Sequence, residues 1–326
     1  MIDVHFLLLP GSLIMDWAGP AEALRIANQC LRARGQAELF RLHYVGPQAQ
    51  TVSSVGAQIS GLQPLPDTAG LHTDGGQHWI VVVGQPGDRV DMDTPAMHDA
   101  LHWLRGLRLA PGQVELLCVC AGTIIAAHAG LLGGRHVTTH HQHLDELRQS
   151  DPLCRVLDNR VFVTDGPVCT SAGVTTGIDL FLHRISALAG PALAAQVAQG
   201  MVVALRRGPG DPELSPFLNH RNHLHPALHR LQDAIGEQPQ ADWSVARMAE
   251  VACTSPRHLT RLFLTHAGIA PLRYLQGIRL GLAQAALRAG MSVTKAAETA
   301  GFSSDTQLRR TWHQHGLQGS PASAQP

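Results

Sequence analysis

The feature of this chain that most constrains its fold is a change of pattern after residue 206. Before about residue 190, short β-type runs at 4–9, 80–83, 114–119, 160–164 and 168–170 alternate with helix-like stretches such as 20–34, 95–105 and 122–132. That alternation is typical of βαβ units around a parallel sheet. After the Gly- and Pro-rich segment 207–212, only helical patterns remain. The sequence therefore predicts an α/β domain followed by an all-α domain.

The boundary between the two predicted domains lies between residues 207 and 225. An apolar helix over 174–189 ends at Gly190-Pro191, and an Ala-rich helix over 192–206 leads into the linker. We therefore expect an α/β domain at 1–190, a helix and linker at 191–223, and a helical domain at 224–326. A chain of 326 residues is long enough for both domains to bury a core.

Composition narrows the class of protein. The chain is 44% hydrophobic and 15% charged, which argues against disorder. It contains no apolar run of the ~18–20 residues that span a bilayer, and residues 1–5 carry no basic segment of the kind that opens a signal peptide. Six cysteines without a CxxC motif indicate a reduced chain rather than a disulfide scaffold. We expect a cytoplasmic protein without a membrane partner.

The net charge of zero conceals an asymmetry. From residue 241 onward there are nine basic and four acidic side chains, a net charge of +5, which leaves −5 for the rest of the chain. A basic segment attached to an acidic one suggests a module that binds a polyanion. The alternative at this point is accidental composition.

The basic segment contains a repeated pattern of helix caps. Ser244 precedes a helix over 245–252, and Ser255 with Pro256 opens a second helix that Gly268 ends. The plan recurs with Ser292 before 293–300 and a helix over 305–315. We take Ser255 and Ser303 as equivalent turn residues, 48 positions apart. The pattern predicts a duplicated helix-turn-helix.

Each second helix has one apolar and one polar face. Leu259, Leu262 and Phe263 are predicted to face inward in the first copy, and Leu308 and Trp312 in the second. The polar faces carry the short polar and guanidinium side chains that reach base edges and phosphates in the major groove. A connecting helix over 272–289 would be about 27 Å long, which suits two recognition helices in successive grooves of double-stranded DNA. The alternative is a helical bundle with a solvated arginine face.

These residues resemble the AraC family of transcriptional regulators over about 224–321. The stretch SPRHLTRLF from Ser255 resembles the first family motif, and AAETAGFSSDTQLRR ending at Arg310 resembles the second. Leu308 stands where the family usually has an aromatic residue, and the closing Gly-x-x-Pro signature is blurred. The resemblance implies interaction with RNA polymerase and activation of transcription. It also places six residues in base-reading positions: Arg257, Thr260, Arg261, Thr306, Gln307 and Arg310.

The α/β region contains a candidate nucleophile. Cys120 follows the run 114–119 and precedes Ala121-Gly122 and a helix, the strand–turn–helix order of a nucleophile elbow. A thiol at a helix N-terminus has a lowered pKa. The alternative is that Cys120 is a small buried apolar residue; Cys118 is expected to belong to the core.

Residues 2–188 resemble the DJ-1/PfpI superfamily of class I glutamine amidotransferase-like, flavodoxin-like domains. The elbow cysteine corresponds to Cys120, the following histidine to His140, and the acidic residue beside it to Asp16. The stretch TSAGV at 170–174 is similar to the closing strand and helix. Such a domain followed by an AraC-type domain is the layout of GlxA-type regulators, which implies a homodimer whose sensor domain binds a small, nitrogenous effector.

Two uses of this pocket remain open. In the first, the pocket binds an effector through Asp16, Cys120, Ala121, Gly122 and His140. In the second, the pocket is the active site of a hydratase, glyoxalase or amidase that uses Cys120, His140 and Asp16. Ala121 stands where protease-like members have histidine, and we therefore favour binding over catalysis. Oxidation of Cys120 in a redox sensor is a third hypothesis.

We expect no cofactor and no metal site. His136, His140, His141 and His143 are clustered, but neither a cysteine nor an acid at a familiar spacing completes a zinc set. The 20 histidines are interpreted as polar surface residues. Trp17 and Trp79 either form an aromatic wall for a cationic amine or belong to the core or a dimer interface.

Overall fold

The computed structural model describes residues 1–73, 75–203, 208–209, 220, 223, 225–288, 290–317 and 319–324. Contacts divide the chain into two units, Met1–Glu213 and Leu214–Pro326. Most of the linker predicted at 207–212, and the end of the helix predicted at 192–206, lie outside the described residues. Within the described residues, none of the helices combines the length and apolar character needed to cross a membrane.

The first unit is built on a six-stranded sheet. The strands of this unit, including those of two smaller pairs, are β1 (Ile2–Leu7), β2 (Phe40–Val45), β3 (Gln50–Val52), β4 (Gln58–Ser60), β5 (Gln77–Val82), β6 (Val114–Val119), β7 (His136–Val137), β8 (Arg155–Val156), β9 (Phe162–Asp165) and β10 (Val168–Ser171). The large sheet has the order β2-β1-β5-β6-β10-β9, in which all pairs are parallel except β9 with β10. Strands β3 with β4, and β7 with β8, form two small separate pairs.

Among the described residues of this unit, seven α-helices accompany these strands. They are α1 (Ile14–Ala33), α2 (Gly70–Thr73), α3 (Pro95–Arg105), α4 (Gly122–His128), α5 (Leu144–Ser150), α6 (Thr175–Ala189) and α7 (Pro191–Gly200). Helix α1 packs with α6 and α7, whereas α4 packs with α3 and α5. The central strands read as continuous apolar runs because both faces of a parallel sheet are covered; β6 is buried along its whole length. This is the predicted flavodoxin-like α/β fold.

The start of α1 differs from the prediction. The helix was expected to begin at Pro20, since proline favours the first helical turn, but it begins at Ile14 and holds Pro20 in its interior. Proline has no N–H, so the carbonyl of Asp16 loses its usual helical donor. The earlier start of α1 places Asp16 in its first turn, directly after the loop that follows β1.

The interpretation of histidine as a surface residue is wrong for three positions. His5, His78 and His143 are buried. His5 Nε2 lies 3.2 Å from His78 Nδ1, and the rings of His5 and His43 stack at 4.8 Å. Histidine tolerates such sites because each ring nitrogen can donate or accept a hydrogen bond, so composition does not reveal its burial.

The second unit is helical throughout its described residues. Its helices are α8 (Pro226–Glu237), α9 (Val245–Val251), α10 (Pro256–Leu262), α11 (Pro271–Arg288), α12 (Val293–Thr299) and α13 (Asp305–Gln314). A π-helical turn, Phe263–Ala267, extends α10, and Gly268 ends it at φ +68°. Two hydrophobic cores form: the N-terminal half of α11 belongs to the first with α8, α9 and α10, and its C-terminal half to the second with α12 and α13.

Candidate nucleic-acid interface and effector site

The first helix-turn-helix pairs α9 with α10. The Oγ atoms of Ser244 and Ser255 accept hydrogen bonds from backbone N–H groups of the first turns, which confirms both predicted caps. Leu259 and Phe263 are fully buried. Arg257 and Arg261 are exposed, and Thr260 is half-buried, its hydroxyl donating to the carbonyl of Pro256.

The second helix-turn-helix pairs α12 with α13. Ser292 caps α12 as predicted. The buried side of α13 consists of Leu308 and Trp312, joined by Thr311. Thr306, Gln307 and Arg310 are exposed on the remaining surface, so leucine at 308 occupies an interior position where an aromatic was expected from the family.

The cap of α13 corrects the assumed register of the duplication. Ser304, not Ser303, is the N-cap: its Oγ accepts from the N–H of Gln307 at 3.2 Å. Ser255 is therefore equivalent to Ser304, one residue later than assumed, whereas Ser244 and Ser292 remain 48 positions apart. The turn of the second motif is thus one residue longer than that of the first. The adjacent serines made the two choices indistinguishable by composition, and only the hydrogen bond separates them.

The corrected register pairs positions between the copies and adds two surface residues. Arg257 corresponds to Thr306 and Arg261 to Arg310, whereas Gln307 corresponds to His258 and Thr260 to Arg309. His258 is half-buried, and Arg309 is exposed. The six base-reading positions expected from the family resemblance do not include these two residues, because each position was taken from one motif alone. Aligning the two helix caps identifies both.

Cys120 lies at a sharp turn between β6 and α4. Its backbone has φ +58°, in the left-handed region that non-glycine residues seldom occupy, as nucleophile-elbow geometry requires. The side chain is only 4% exposed. A Cβ on Gly173 would lie 2.6 Å from the Cys120 Sγ, so only glycine permits this close cover.

Asp16 connects three loops at this end of the sheet. Its Oδ2 accepts from the N–H of Gly84 at 3.1 Å, and its Oδ1 from the N–H of Val174 at 2.8 Å. Its carboxylate also interacts with the Cys120 side chain. Burial raises the pKa of Asp16 to about 6, against the lowering effect of these hydrogen bonds.

The other proposed pocket residues surround the elbow differently. The carbonyl of Cys120 accepts from the hydroxyl of Thr139 at 2.9 Å, which ties the segment before His140 to the turn. Burial, followed by the nearby His141 and His143, lowers the pKa of His140 to about 4. Ala121 and Gly122 are buried, and a Cβ on Gly122 would lie 2.2 Å from the Val82 carbonyl oxygen. Gly122 thus allows β5 to approach.

The histidine segment does not converge on one point. His136 Nδ1 lies 3.1 Å from Asp165 Oδ2, and His143 Nδ1 lies 2.7 Å from Glu146 Oε2. Within the part of the chain that the structure describes, no group of three or more His, Cys, Asp or Glu side chains is arranged to hold a metal ion.

The two tryptophans serve different parts of the domain. Trp79 is 2% exposed and packs against Phe40 and Phe181. Trp17 is half-buried and meets Tyr44 edge-on, with ring centroids 5.7 Å apart. They do not form a joint wall for an amine, because Trp79 is a core residue.

The elbow stands where α/β sheets bind ligands. β1 and β5 are adjacent although their crossovers run in opposite directions along the sheet order, which makes their boundary a topological switch point. Ligands of such sheets bind beyond the carboxyl ends of the strands at this point. Asp16 follows β1, Gly84 follows β5 and Cys120 follows β6 there.

Comparison with known proteins supports both predicted domains. The chain matches the DJ-1/PfpI family over residues 4–187 and a helix-turn-helix domain family over 248–316. It is 32% identical to the HTH-type transcriptional regulator CdhR of Pseudomonas aeruginosa, over 95% of this chain and 88% of the relative. It is 31% identical to the regulator GlxA of Rhizobium meliloti, over 92% of this chain and 89% of the relative.

Two further matches cover about two thirds of the chain. An isonitrile hydratase of Pseudomonas putida is 34% identical over 65% of this chain and 81% of the enzyme. An AraC family regulator structure from P. putida has a TM-score of 0.51 at 19% identity, covering 62% of this chain and all of that one, which supports the fold alone. The regulators match nearly the whole chain, whereas the hydratase matches about two thirds of it. The chain therefore belongs to the DJ-1/PfpI family and is a GlxA-type, DNA-binding transcriptional regulator, in which an AraC-type helix-turn-helix domain follows a sensor domain of that fold.

Proposed function

We propose that α10 and α13 are the recognition helices and that each enters the major groove of double-stranded DNA. The observation that carries this proposal is the pair of serine-capped helices in equivalent positions, each with a buried apolar side and an exposed side. Arg257, Thr260 and Arg261 contact DNA from α10. Thr306, Gln307 and Arg310 contact it from α13, and the equivalence of the caps adds His258 and Arg309 to the contact surface.

A DNA-binding titration tests this assignment. The full chain is titrated against its own upstream region and a scrambled duplex at two salt concentrations. We expect Arg261→Ala and Arg310→Ala each to weaken specific binding about 5- to 150-fold, because a good arginine–base contact is worth about 1–3 kcal/mol. Arg25→Ala on α1, which removes an exposed arginine paired with Glu22, is the matched control. Absence of DNA binding even at low salt, or equal loss in the control, contradicts the assignment.

The sensor domain binds a small nitrogenous effector at the elbow, through Asp16, Cys120, Ala121, Gly122 and His140. Support comes from the position at the switch point and from buried polar atoms there, including the Ser171 hydroxyl, which has no hydrogen-bond partner among the described residues. Asp16 is fully buried, so the effector must displace the cover formed by Gly173 and Val174. Val174 is a β-branched residue held at φ +50°, a strained conformation that such a displacement would relieve.

A panel of amines and amino acids identifies the effector. We expect one class to change DNA affinity in the full chain, and Asp16→Asn to abolish that response while leaving effector-free DNA binding intact. If no member of the panel shifts DNA affinity, or if Asp16→Asn responds like the wild type, the effector proposal is wrong.

Catalysis by Cys120 is the second candidate function. The strained elbow and the Asp16 contact favour it. The lowered pKa of His140 argues against this residue as the base, because an imidazole whose pKa is about 4 is a weak proton acceptor at pH 7. This hypothesis predicts turnover of an isocyanide, glyoxal or amide that Cys120→Ala abolishes without loss of DNA binding. We favour the non-enzymatic function because the whole-chain relatives are regulators.

We also propose the remaining properties that the family resemblance and the sequence suggest. The regulator acts as a homodimer in the cytoplasm, contacts RNA polymerase and activates transcription, and its chain divides into a sensor at 1–190, a helix and linker at 191–223 and a DNA-binding domain at 224–326. Sedimentation of the purified chain tests the dimer; a monomer at micromolar concentration contradicts it. Transcription in vitro with purified polymerase tests the sign of regulation.

A further inference from the structure

Gln307 takes part in the turn that opens α13. Its side-chain Oε1 accepts two hydrogen bonds from Ser303, one from the backbone N–H at 2.7 Å and one from the hydroxyl at 3.0 Å. Its own backbone N–H donates to the Oγ of Ser304. The side chain is nevertheless exposed, on the surface that also carries Thr306 and Arg310.

These bonds fix the orientation of the amide. A backbone N–H can donate only to the oxygen of a glutamine amide, because the amide nitrogen carries two hydrogens and does not accept. Two donors occupy the oxygen, so the nitrogen is left to face outward. Every side-chain hydrogen bond of Gln307 within the described residues uses its oxygen.

The geometry points to Gln307 as a donor-only reader of the base edge that presents adjacent acceptors, guanine O6 and N7. This inference rests on the proposed function of α13 and adds the identity of the base. Glutamine usually recognises adenine with both halves of its amide, the oxygen accepting from N6 and the nitrogen donating to N7. Here the oxygen is held by the turn, and adenine would present its N6 donor to an amide donor.

The first motif shows that this arrangement is not a general property of the turn. His258 occupies the position equivalent to Gln307, but its Nδ1 accepts from the Arg261 guanidinium at 2.8 Å. The turn before α10 is therefore held by Ser255 and the backbone, with the His258 ring directed to Arg261. The donor-only presentation belongs to the second motif.

Selection of binding sites from a randomised duplex library tests the inference. The full chain is compared with Gln307→Glu, whose carboxylate keeps an oxygen for both Ser303 donors but offers DNA only acceptors. We expect wild type to select guanine at one position, and Gln307→Glu to change that position to cytosine, which presents its N4 donor. The change in relative affinity at that position should be about 5- to 100-fold. The added charge weakens binding to every sequence alike, so it cannot produce a change at one position.

Two further variants separate the possible failures. Arg310→Ala reports the proposed function of α13: if it alters base selection while Gln307→Glu alters no position, α13 reads DNA and the inference about Gln307 is wrong. If the position that responds to Gln307→Glu is adenine in wild type, the oxygen leaves the turn on binding and the inference is again wrong. If wild type selects no sequence, the proposed function itself fails.

Thermal unfolding checks the link to the turn. Gln307→Met has similar length but no oxygen, so we expect a lower unfolding midpoint as well as loss of preference at the guanine position. Gln307→Glu should keep the wild-type midpoint. A Gln307→Met midpoint equal to wild type would show that the amide is not held by Ser303, and would overturn the inference.

Discussion

Cys253 and Gly301 occupy equivalent positions in the two helix-turn-helix motifs. Each follows the C-cap of the first helix, donates its N–H to the carbonyl of a glutamate three residues earlier, and precedes a residue whose N–H also turns back into the helix. This is the Schellman arrangement, which requires a left-handed residue after the cap. Gly301 has φ +80° and Cys253 has φ +53°. The first motif therefore carries a steric cost that the second avoids.

Replacing Cys253 with glycine should remove that cost. We expect Cys253→Gly to raise the free energy of unfolding of the helical unit by about 1 kcal/mol. A left-handed non-glycine residue costs roughly 1–2 kcal/mol, and the greater conformational entropy of glycine in the unfolded chain cancels part of the gain from removing that cost. Cys253→Ser keeps the β-carbon and is the control; we expect no gain from it. Urea unfolding of the full chain measures the difference, and equal gains in both variants would assign the effect to the thiol instead.

The carboxyl of Asp16 links stability to pH in an unusual direction. Because burial raises its pKa from 3.8 to about 6, the native state binds the proton more tightly than the unfolded chain does. Its contribution is therefore fully present below pH 4 and is lost as pH rises through about 6, by on the order of 2–3 kcal/mol. His140 has the opposite effect: because its pKa is lowered to about 4, the native state loses stability as pH falls below 6.5.

The two effects overlap, so a variant must isolate the first. We expect the stability of wild type relative to Asp16→Asn to fall steadily between pH 4 and pH 6. Asp165→Asn is the matched control, because hydrogen bonding from the His136 N–H lowers the pKa of Asp165, and its loss should matter least at low pH. Unfolding midpoints from pH 3.5 to 7 measure both. A flat difference for Asp16→Asn would mean that its carboxyl is not desolvated.

At this scale the sequence indicates chemistry but not the contacts that control it. The position of Cys120 at the elbow was predicted from the residues around it: a strand precedes it, and a small residue and a glycine follow it. Such a turn is determined by local backbone geometry. The partners Gly84 and Val174 were not, because their N–H groups reach Asp16 from positions 68 and 158 residues away. A backbone donor has no residue identity, so composition cannot reveal it.

The two helix-turn-helix motifs are joined by contacts as well as by α11. A Cβ on Gly301 would lie 2.6 Å from the Gln240 Cα, which places the turn of the second motif against the loop before α9. Arg279, on α11, donates to the carbonyls of Pro239 and Ala241 in the same loop at 2.8 Å. These contacts hold one motif against the other through backbone atoms that cannot move aside cheaply.

Substitution of Gly301 should therefore affect both motifs. We expect Gly301→Ala to destabilise the helical unit by about 2–4 kcal/mol, because it adds a backbone clash to the cost of a left-handed alanine. Gly268→Ala is the matched control: its φ is +68° and nothing lies within 4 Å of the added carbon, so only about 1 kcal/mol should be lost. Calorimetry of the full chain compares the two. Similar losses would show that the contact with Gln240 is relaxed without cost.

Elements are predicted well where a local signal ends them. Ser244, Ser255 and Ser292 were identified as caps, and α3 was predicted at its observed bounds, because a cap and a proline act within one turn. Strand β2 was missed, since FRLHYV carries polar residues as an edge strand does. The choice between Ser303 and Ser304 failed for a similar reason: neighbouring residues of one type differ only in the hydrogen bond they make.

The helical unit holds its two proposed recognition helices, α10 and α13, on one rigid element, α11. Helix α11 contributes Ile278 to the first core and Leu280 to the second, so neither motif can rotate without breaking a core. With 18 residues, α11 is about 27 Å long. That length suits two successive major grooves on one side of the duplex, which are about 34 Å apart. Binding of the second helix then gains from the first as an intramolecular event.

Rigidity of this kind makes affinity depend on helical phase. Inserting five base pairs between the two contacted grooves turns the second groove to the far side of the duplex, about half a turn away. We expect wild type to lose at least about tenfold in affinity for that duplex, because one recognition helix loses its base contacts. Arg310→Ala has already lost a principal contact from α13, so the same insertion should reduce its affinity much less. Inserting ten base pairs restores the phase but not the distance, and should weaken wild type as well. Titrations of both proteins against the three duplexes measure the coupling; equal losses in wild type and Arg310→Ala would mean that the two motifs do not bind one face of DNA together.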